Sequence, residues 1–199
     1  MKNEVREPRQ ERSIEKKKRI IQAGYELFSE VGYYGTNTAE IAKRAGVSTG
    51  IVYGYFQDKR DILLCVLEIY LKNVFTPLEK LLDMLKETPD LNELVPKVLQ
   101  EVIKTHKNNQ KIHEALHSLA GSDEAVSAKF IGLEDEITIR FSAKLQSLGL
   151  KTDNLVEKVH FSMDIIQSFS HEYVFDKHEY IDYDEMCKMV CKTIINLFD

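Results

Sequence analysis

At 199 residues, with 43% apolar residues, 30% charged residues and a formal net charge of −5, the chain can bury one good core plus a small accessory domain and is no disordered polymer. No apolar run approaches the ~20 residues of a bilayer span, and the opening MKNEVREPRQER lacks the apolar stretch of a secretory signal, so a soluble, cytoplasmic protein without a membrane partner is expected. Its cysteines, Cys65, Cys187 and Cys191, make neither a disulfide framework nor a metal knuckle; the last two stand one helical turn apart and read as small apolar fillers.

Residues 1–13 form a polar arm containing Arg6, Arg9 and Arg12. KKKRIIQAGYELFSEV follows, an amphipathic helix whose apolar stripe is Ile20, Ala23, Leu27, Phe28 and Val31, ended by Gly32. Residues 38–56, TAEIAKRAGVSTGIVYGYF, are laid out as two short helices around a tight turn, the arrangement that sets one helix in a DNA major groove. Asn37 and Glu40 have the spacing of a capping box. Gly46 stands where the first helix must stop and the backbone turn left-handed, and Ser48 is placed to cap the second. Ile41, Ala45, Val47, Val52 and Tyr55 supply the apolar contacts of the crossing, with Ala42 small where the backbones come close. Thr49, Gly50, Ile51, Tyr53 and Gly54 are left on the outer face of the second helix, the proposed reader of base edges. Asp58 then caps a long helix with Lys59 in its first turn.

Charge supports this division. Residues 1–60 carry 12 Lys and Arg against 8 Asp and Glu, net +4, leaving 15 against 24, net −9, for the other 139. A positive front lowers the cost of approaching phosphates, while an acidic body is repelled by them and orients the molecule. KKKR at 16–19 and the arginines of the arm are the long-range contributors.

From the helix before the motif through AEIAKRAGVS, YGYF and DKRDIL, residues 14 to about 71 resemble the amino-terminal DNA-binding domain of the tetracycline-repressor (TetR) family of bacterial regulators. The resemblance implies an all-α protein: an arm at 1–13, a three-helix DNA-binding domain with a helix-turn-helix at 14–60, and a larger ligand-sensing and dimerising helical domain at 61–199. By position in the motif, Thr38, Ser48, Tyr53, Tyr55 and Lys59 are expected to hold phosphates and set register, with Thr49, Gly50 and Ile51 facing bases. Gly54 departs from the family, which usually carries a larger side chain there. Glycine inside a helix costs about 1 kcal/mol relative to alanine, and close approach of the backbone to DNA is the expected reason.

Beyond the motif, a 3.6-residue period predicts helices near 59–87, 91–107, 109–120, 123–149, 153–177 and 182–198, with no sustained strand alternation. Pro77 is expected to kink or split the first of these. In the resemblance the last two helices form the dimer interface, here presenting Phe161, Ile165, Phe169 and Val174, then Met186, Val190, Ile194 and Leu197. Tyr70, Phe75, Phe130, Phe141, Phe161, Phe169, Tyr173 and Phe175 are mostly core, a minority lining a cavity for an unidentified small-molecule effector. The acidic balance of this domain points to a cationic or neutral ligand.

A rival signal is HEALH at 113–117, which matches the H-E-x-x-H spacing that sets two imidazoles on one helical face for zinc with the glutamate as base. Glu134 or Glu136 is the nominal third ligand of such a hydrolase. Lys111 places a charge just ahead of the segment that zinc peptidases keep apolar, and no substrate edge strand is visible. His106, His113 and His117 could share a face, as contacts to a ligand or a metal, only if one helix ran through Asn108 and Asn109, which that pair opposes. The expectation is a homodimeric regulator, a repressor, with no catalytic residues, no metal and no cofactor, binding a palindromic double-stranded operator.

Overall fold

The computed structural model describes residues 11–199; Arg6 and Arg9 of the arm lie outside them. Among the described residues the chain is helical without strands: α1 (Glu11–Val31), α2 (Thr38–Ala45), α3 (Thr49–Tyr53), α4 (Lys59–Met84), α5 (Leu91–Asn108), α6 (Gln110–Ala120), α7 (Glu124–Ser147), α8 (Leu155–Phe175) and α9 (Tyr183–Asn196). Every helix expected from periodicity is present, displaced by no more than three residues at either end. Pro77 lies within α4 and does not divide it. Phe75, Leu78 and Leu82 are buried around it, and burial of one such side chain is worth about 1.5–3 kcal/mol, enough together to outweigh a proline's cost of roughly 3 kcal/mol.

The helices gather into two compact units. One holds the chain up to Lys72 together with Asn109–Lys129, and the other holds Asn73–Asn108 together with Phe130–Asp199. The helix-turn-helix thus shares its unit with α6 and with the first turns of α4 and α7, so segment 14–60 is only part of it. α6 belongs there because Ile112 and Leu116, one turn apart, are fully buried. The Tyr25 hydroxyl donates to Asn109 Oδ1 at 3.0 Å, and Lys111 Nζ donates to the Glu30 carbonyl. The break at Asn109 falls where the asparagine pair predicts it.

In the first unit Ile20, Ala23, Leu27 and Phe28 are buried as the α1 stripe requires, but Val31 is 54% exposed. The helix ends at that residue and Gly32 turns left-handed at φ 79°, carrying the last side chain off the stripe. α1 also comes close to α4 at Gly24, where an added Cβ would lie 2.7 Å from Ile62 Cγ2. The second unit has its own core, with Leu99, Ile137, Ile166, Phe169 and Ile194 among the buried residues. Phe169 and Ile194, expected on stripes open to a twin subunit, belong to that core, since both helices also close over α5.

Gly24→Ala is expected to lower stability by about 1–3 kcal/mol, the usual cost of overpacking a close helix contact, measured as a lower urea midpoint with unchanged m-value.

Candidate nucleic-acid interface

α2 is delimited as its sequence dictates. Asn37 Oδ1 accepts from the Glu40 amide at 3.0 Å, and the Asn37 amide donates back to Glu40 Oε2 at 3.2 Å, completing the capping box. At the other end Gly46 is left-handed at φ 66°. The Val47 amide reaches the Ala42 carbonyl at 3.0 Å and the Gly46 amide that of Lys43 at 3.2 Å, the paired closure of a glycine-terminated helix. Ile41, Ala42, Ala45 and Val52 are buried between α2, α3 and their neighbours. Phe56, which the sequence reading left unassigned, joins them at 3% exposure, whereas Val47 and Tyr55 stay half-buried.

The reader is short, a helix of 5 residues. Ser48 occupies the cap position with extended backbone, but its side chain makes no capping hydrogen bond, which corrects the expected side-chain cap. Only its carbonyl is engaged, accepting from the Ile51 and Val52 amides at 2.9 and 3.3 Å. Gly54 is not inside the helix, as the sequence reading had it, but closes it at φ −74°; its amide donates to the Gly50 and Ile51 carbonyls at 3.2 and 3.1 Å. A Cβ at Gly54 would meet the Ile51 carbonyl oxygen at 3.2 Å, whereas at Gly50 the space is open. Crowding by this helix's own backbone therefore accounts for Gly54.

Three of the expected site residues are tied by their side chains. The hydroxyls of Thr38 and Tyr53 lie 3.1 Å apart, joining the start of α2 to the end of α3 on the exposed side. Tyr55 is bonded to Ser13 of α1 at 2.8 Å. Ser48 and Gly50 are exposed, and Thr49 and Ile51 half-exposed, so the outer face of α3 carries no charge. Lys59 turns inward: its ammonium donates to the carbonyls of Tyr33 and Thr36, both at 2.7 Å, and lies 4.1 Å from the Tyr33 ring centroid. Burial draws its pKa below the usual lysine value.

The positive front is partly neutralised. Arg44 grips Glu30 through two bonds of 2.9 and 2.8 Å and reaches Glu26 at 3.4 Å, holding the Glu30 carboxyl below the usual range. Arg60 binds Asp123 through two bonds, one at 2.7 Å, and holds that carboxyl down at about 2. Lys17 lies over the Phe56 ring. Arg12, Lys16, Lys18, Arg19 and Lys43 remain, with the first four on α1 and all five exposed, and none has an ion pair among the described residues. Arg19 stands at the turn of the motif, its Nη1 3.9 Å from where a Gly46 Cβ would be. The Arg60–Asp123 pair joins residues 63 apart in sequence, a separation for which no local pattern exists, although Asp123 does read as a helix cap and accepts from the Ala125 and Val126 amides at 3.0 and 3.2 Å.

HEALH lies on α6. His113 is buried with Nδ1 2.6 Å from the Tyr70 hydroxyl. Its ring centroid is 4.0 Å from that of His117, while Glu114 and His117 are exposed. Glu136 is an ion-pair partner of Arg140. His106, buried on α5, has Nδ1 2.9 Å from the Val102 carbonyl, and burial lowers its pKa. Among the described residues no three His, Cys, Asp or Glu side chains gather as a metal site, and no helix is long and apolar enough to cross a membrane.

A buried crossing of two short helices, a left-handed glycine turn and an uncharged outer face on the second helix define a helix-turn-helix protein of the DNA-binding class. Residues 20–66 match the family described as bacterial regulatory proteins, tetR family. The segment is 48% identical over 66 residues to the HTH-type transcriptional regulator HbdR of Aromatoleum sp. (strain CIB), covering 33% of this chain and 27% of that one. Against the HTH-type transcriptional regulator BetI of Escherichia coli it is 46% identical over 48 residues, 24% of this chain and 25% of the other. The chain thus spans about a quarter of the length of these curated relatives. Along its whole length it has the fold of TetR-family regulators, including one from Mesorhizobium loti (TM-score 0.76, 20% identity, 95% of this chain and 97% of that one) and one from Syntrophomonas wolfei (TM-score 0.67, 24% identity, 93% and 95%). The chain belongs to the tetR family. Its relatives carry the names of regulators, and nothing among them supports a hydrolase.

Because the Asp123 pKa is depressed on folding, the Arg60–Asp123 pair stabilises the protein above the ordinary aspartate pKa, and that contribution is lost as pH falls through about 2. Thermal melts from pH 5 to pH 2 are expected to fall less steeply for Asp123→Asn than for the parent chain.

Proposed function

We propose that the chain is a transcriptional regulator, a repressor released by a small effector, that binds a roughly palindromic duplex as a homodimer and has no catalytic activity. The observation that carries this reading is the exposed pairing of Thr38 with Tyr53 beside an uncharged α3 face. One phosphate would be held by Thr38 and Tyr53, while Thr49, Gly50 and Ile51 meet base edges and Ser48 the adjoining backbone. Arg19 and Lys43, exposed and without ion pairs among the described residues, supply further phosphate contacts. Lys59 and Tyr55 act through position, the first holding the turn before α2 and the second fixing α3 to α1. Two readers would enter successive grooves about 34 Å apart.

The twin subunit would seat on α8 and α9. Phe161 is 52% and Met189 68% exposed, and Ile165, Val174, Met186, Val190 and Leu197 keep part of their surface open. An effector would release DNA by binding better to a subunit arrangement with the wrong reader spacing.

Selection of bound duplexes from a random pool tests this reading directly. A palindromic consensus bound by a dimer in sedimentation is expected; a strict monomer, or no preference over scrambled competitor, would sink it. On the selected duplex, Lys43→Ala and Arg19→Ala are each expected to flatten the log–log salt dependence by about 0.9, one phosphate contact apiece. Lys59→Met should instead weaken binding with the slope unchanged and cost stability by about 1–3 kcal/mol, since two carbonyls lose their donor.

A further inference from the structure

The second unit contains a cavity bounded by the end of α4 and by α5, α7, α8 and α9, with about 660 Å³ of atom-free space counted to its mouth. Its walls are aliphatic apart from Phe141, Met163, Phe198 and two polar residues, Ser162 and Gln167, and no charged side chain lines it. The Ser162 hydroxyl already donates to the Lys158 carbonyl of its own helix at 2.7 Å. Gln167, half-buried one residue after the buried Ile166, has a carboxamide that makes no hydrogen bond among the described residues.

We infer that this cavity takes an uncharged, predominantly hydrocarbon effector carrying one hydrogen-bonding group matched to the Gln167 carboxamide. The inference rests on the regulatory reading above and supplies the chemistry of its effector. An ion entering such a site gives up its hydration and meets no opposite charge in return. A carboxylate finds neither arginine nor lysine, and a quaternary ammonium neither carboxylate nor tyrosine. Apolar surface, by contrast, leaves water for walls that match it, and a single hydroxyl, amide or ketone satisfies the one open polar side chain. The acidic balance of the chain, which on sequence grounds favoured a cationic or neutral ligand, does not reach the cavity walls, so the neutral arm of that expectation is the one retained.

The test uses the full chain without DNA. The neutral fluorophore N-phenyl-1-naphthylamine is titrated in, then displaced by 1-decanol, decanoate or decyltrimethylammonium at pH 7.5. The expected result is saturable fluorophore binding, with decanol displacing it at a concentration at least about tenfold below either ion, the desolvation of charge deciding the order. Met163→Trp, which fills the cavity, should abolish fluorophore binding while circular dichroism is unchanged; if it fails to fold, the smaller increment Ile166→Phe takes its place. Gln167→Leu should weaken decanol about threefold or more, one lost hydrogen bond, and leave the fluorophore unaffected. Equal or better displacement by either ion, no fluorophore binding by the parent chain, or binding that persists in a folded cavity-filled variant would overturn the inference. Duplex selection is scored separately, so a wrong effector chemistry and a wrong regulatory reading give different results.

Discussion

A single ammonium group decides where the helix-turn-helix stands. Lys59 closes the loop between α1 and α2 by donating to the carbonyls of Tyr33 and Thr36. The same loop is folded on itself by the left-handed Gly32 and by the Thr36 hydroxyl donating to the Gly32 carbonyl at 2.9 Å. Carbonyls without a donor in a loop that buries Thr36 to 3% exposure are costly to leave unmet. The start of α2, and with it the Thr38–Tyr53 pair, is therefore fixed by the first residue of α4. A lysine suits this task because its three donors sit on a flexible stem and can reach two carbonyls at once.

The unit that reads DNA separates two uses of positive charge. Arg44 and Arg60 are matched to carboxylates within the unit and brace helices, as planar guanidinium groups do well. Arg12, Lys16, Lys18, Arg19 and Lys43 are unmatched among the described residues and set the field outside. The surface offered to bases has no charge at all, so any sequence preference must come from small side chains and backbone shape, while the charges supply affinity that does not depend on sequence.

The second unit shows the complementary arrangement. Its surface carries the acidic excess, yet its cavity is nearly free of polar groups. Charge at the surface governs solubility and repulsion from phosphates over nanometre distances, whereas the cavity governs which molecule can leave water. The two properties are set by different residues and can vary independently within one fold.

The sequence by itself determined the helix order, the capping box at Asn37, the left-handed stop at Gly46, the helix break at Asn109 and the apolar face of α2, because each depends on residues within a few positions of one another. The tertiary structure alone decided that Lys59 points inward, that Arg60 meets Asp123, that Gly24 is held by the approach of α4, and that α6 joins the unit of the helix-turn-helix. It also placed Phe169 and Ile194 in the subunit core and Val31 in solvent. Periodicity reports which face of a helix is apolar but not which neighbour covers it, and a charged side chain's partner is chosen by distances that open only when segments far apart in sequence are brought together. Those choices rest on long-range packing, and no local pattern encodes them.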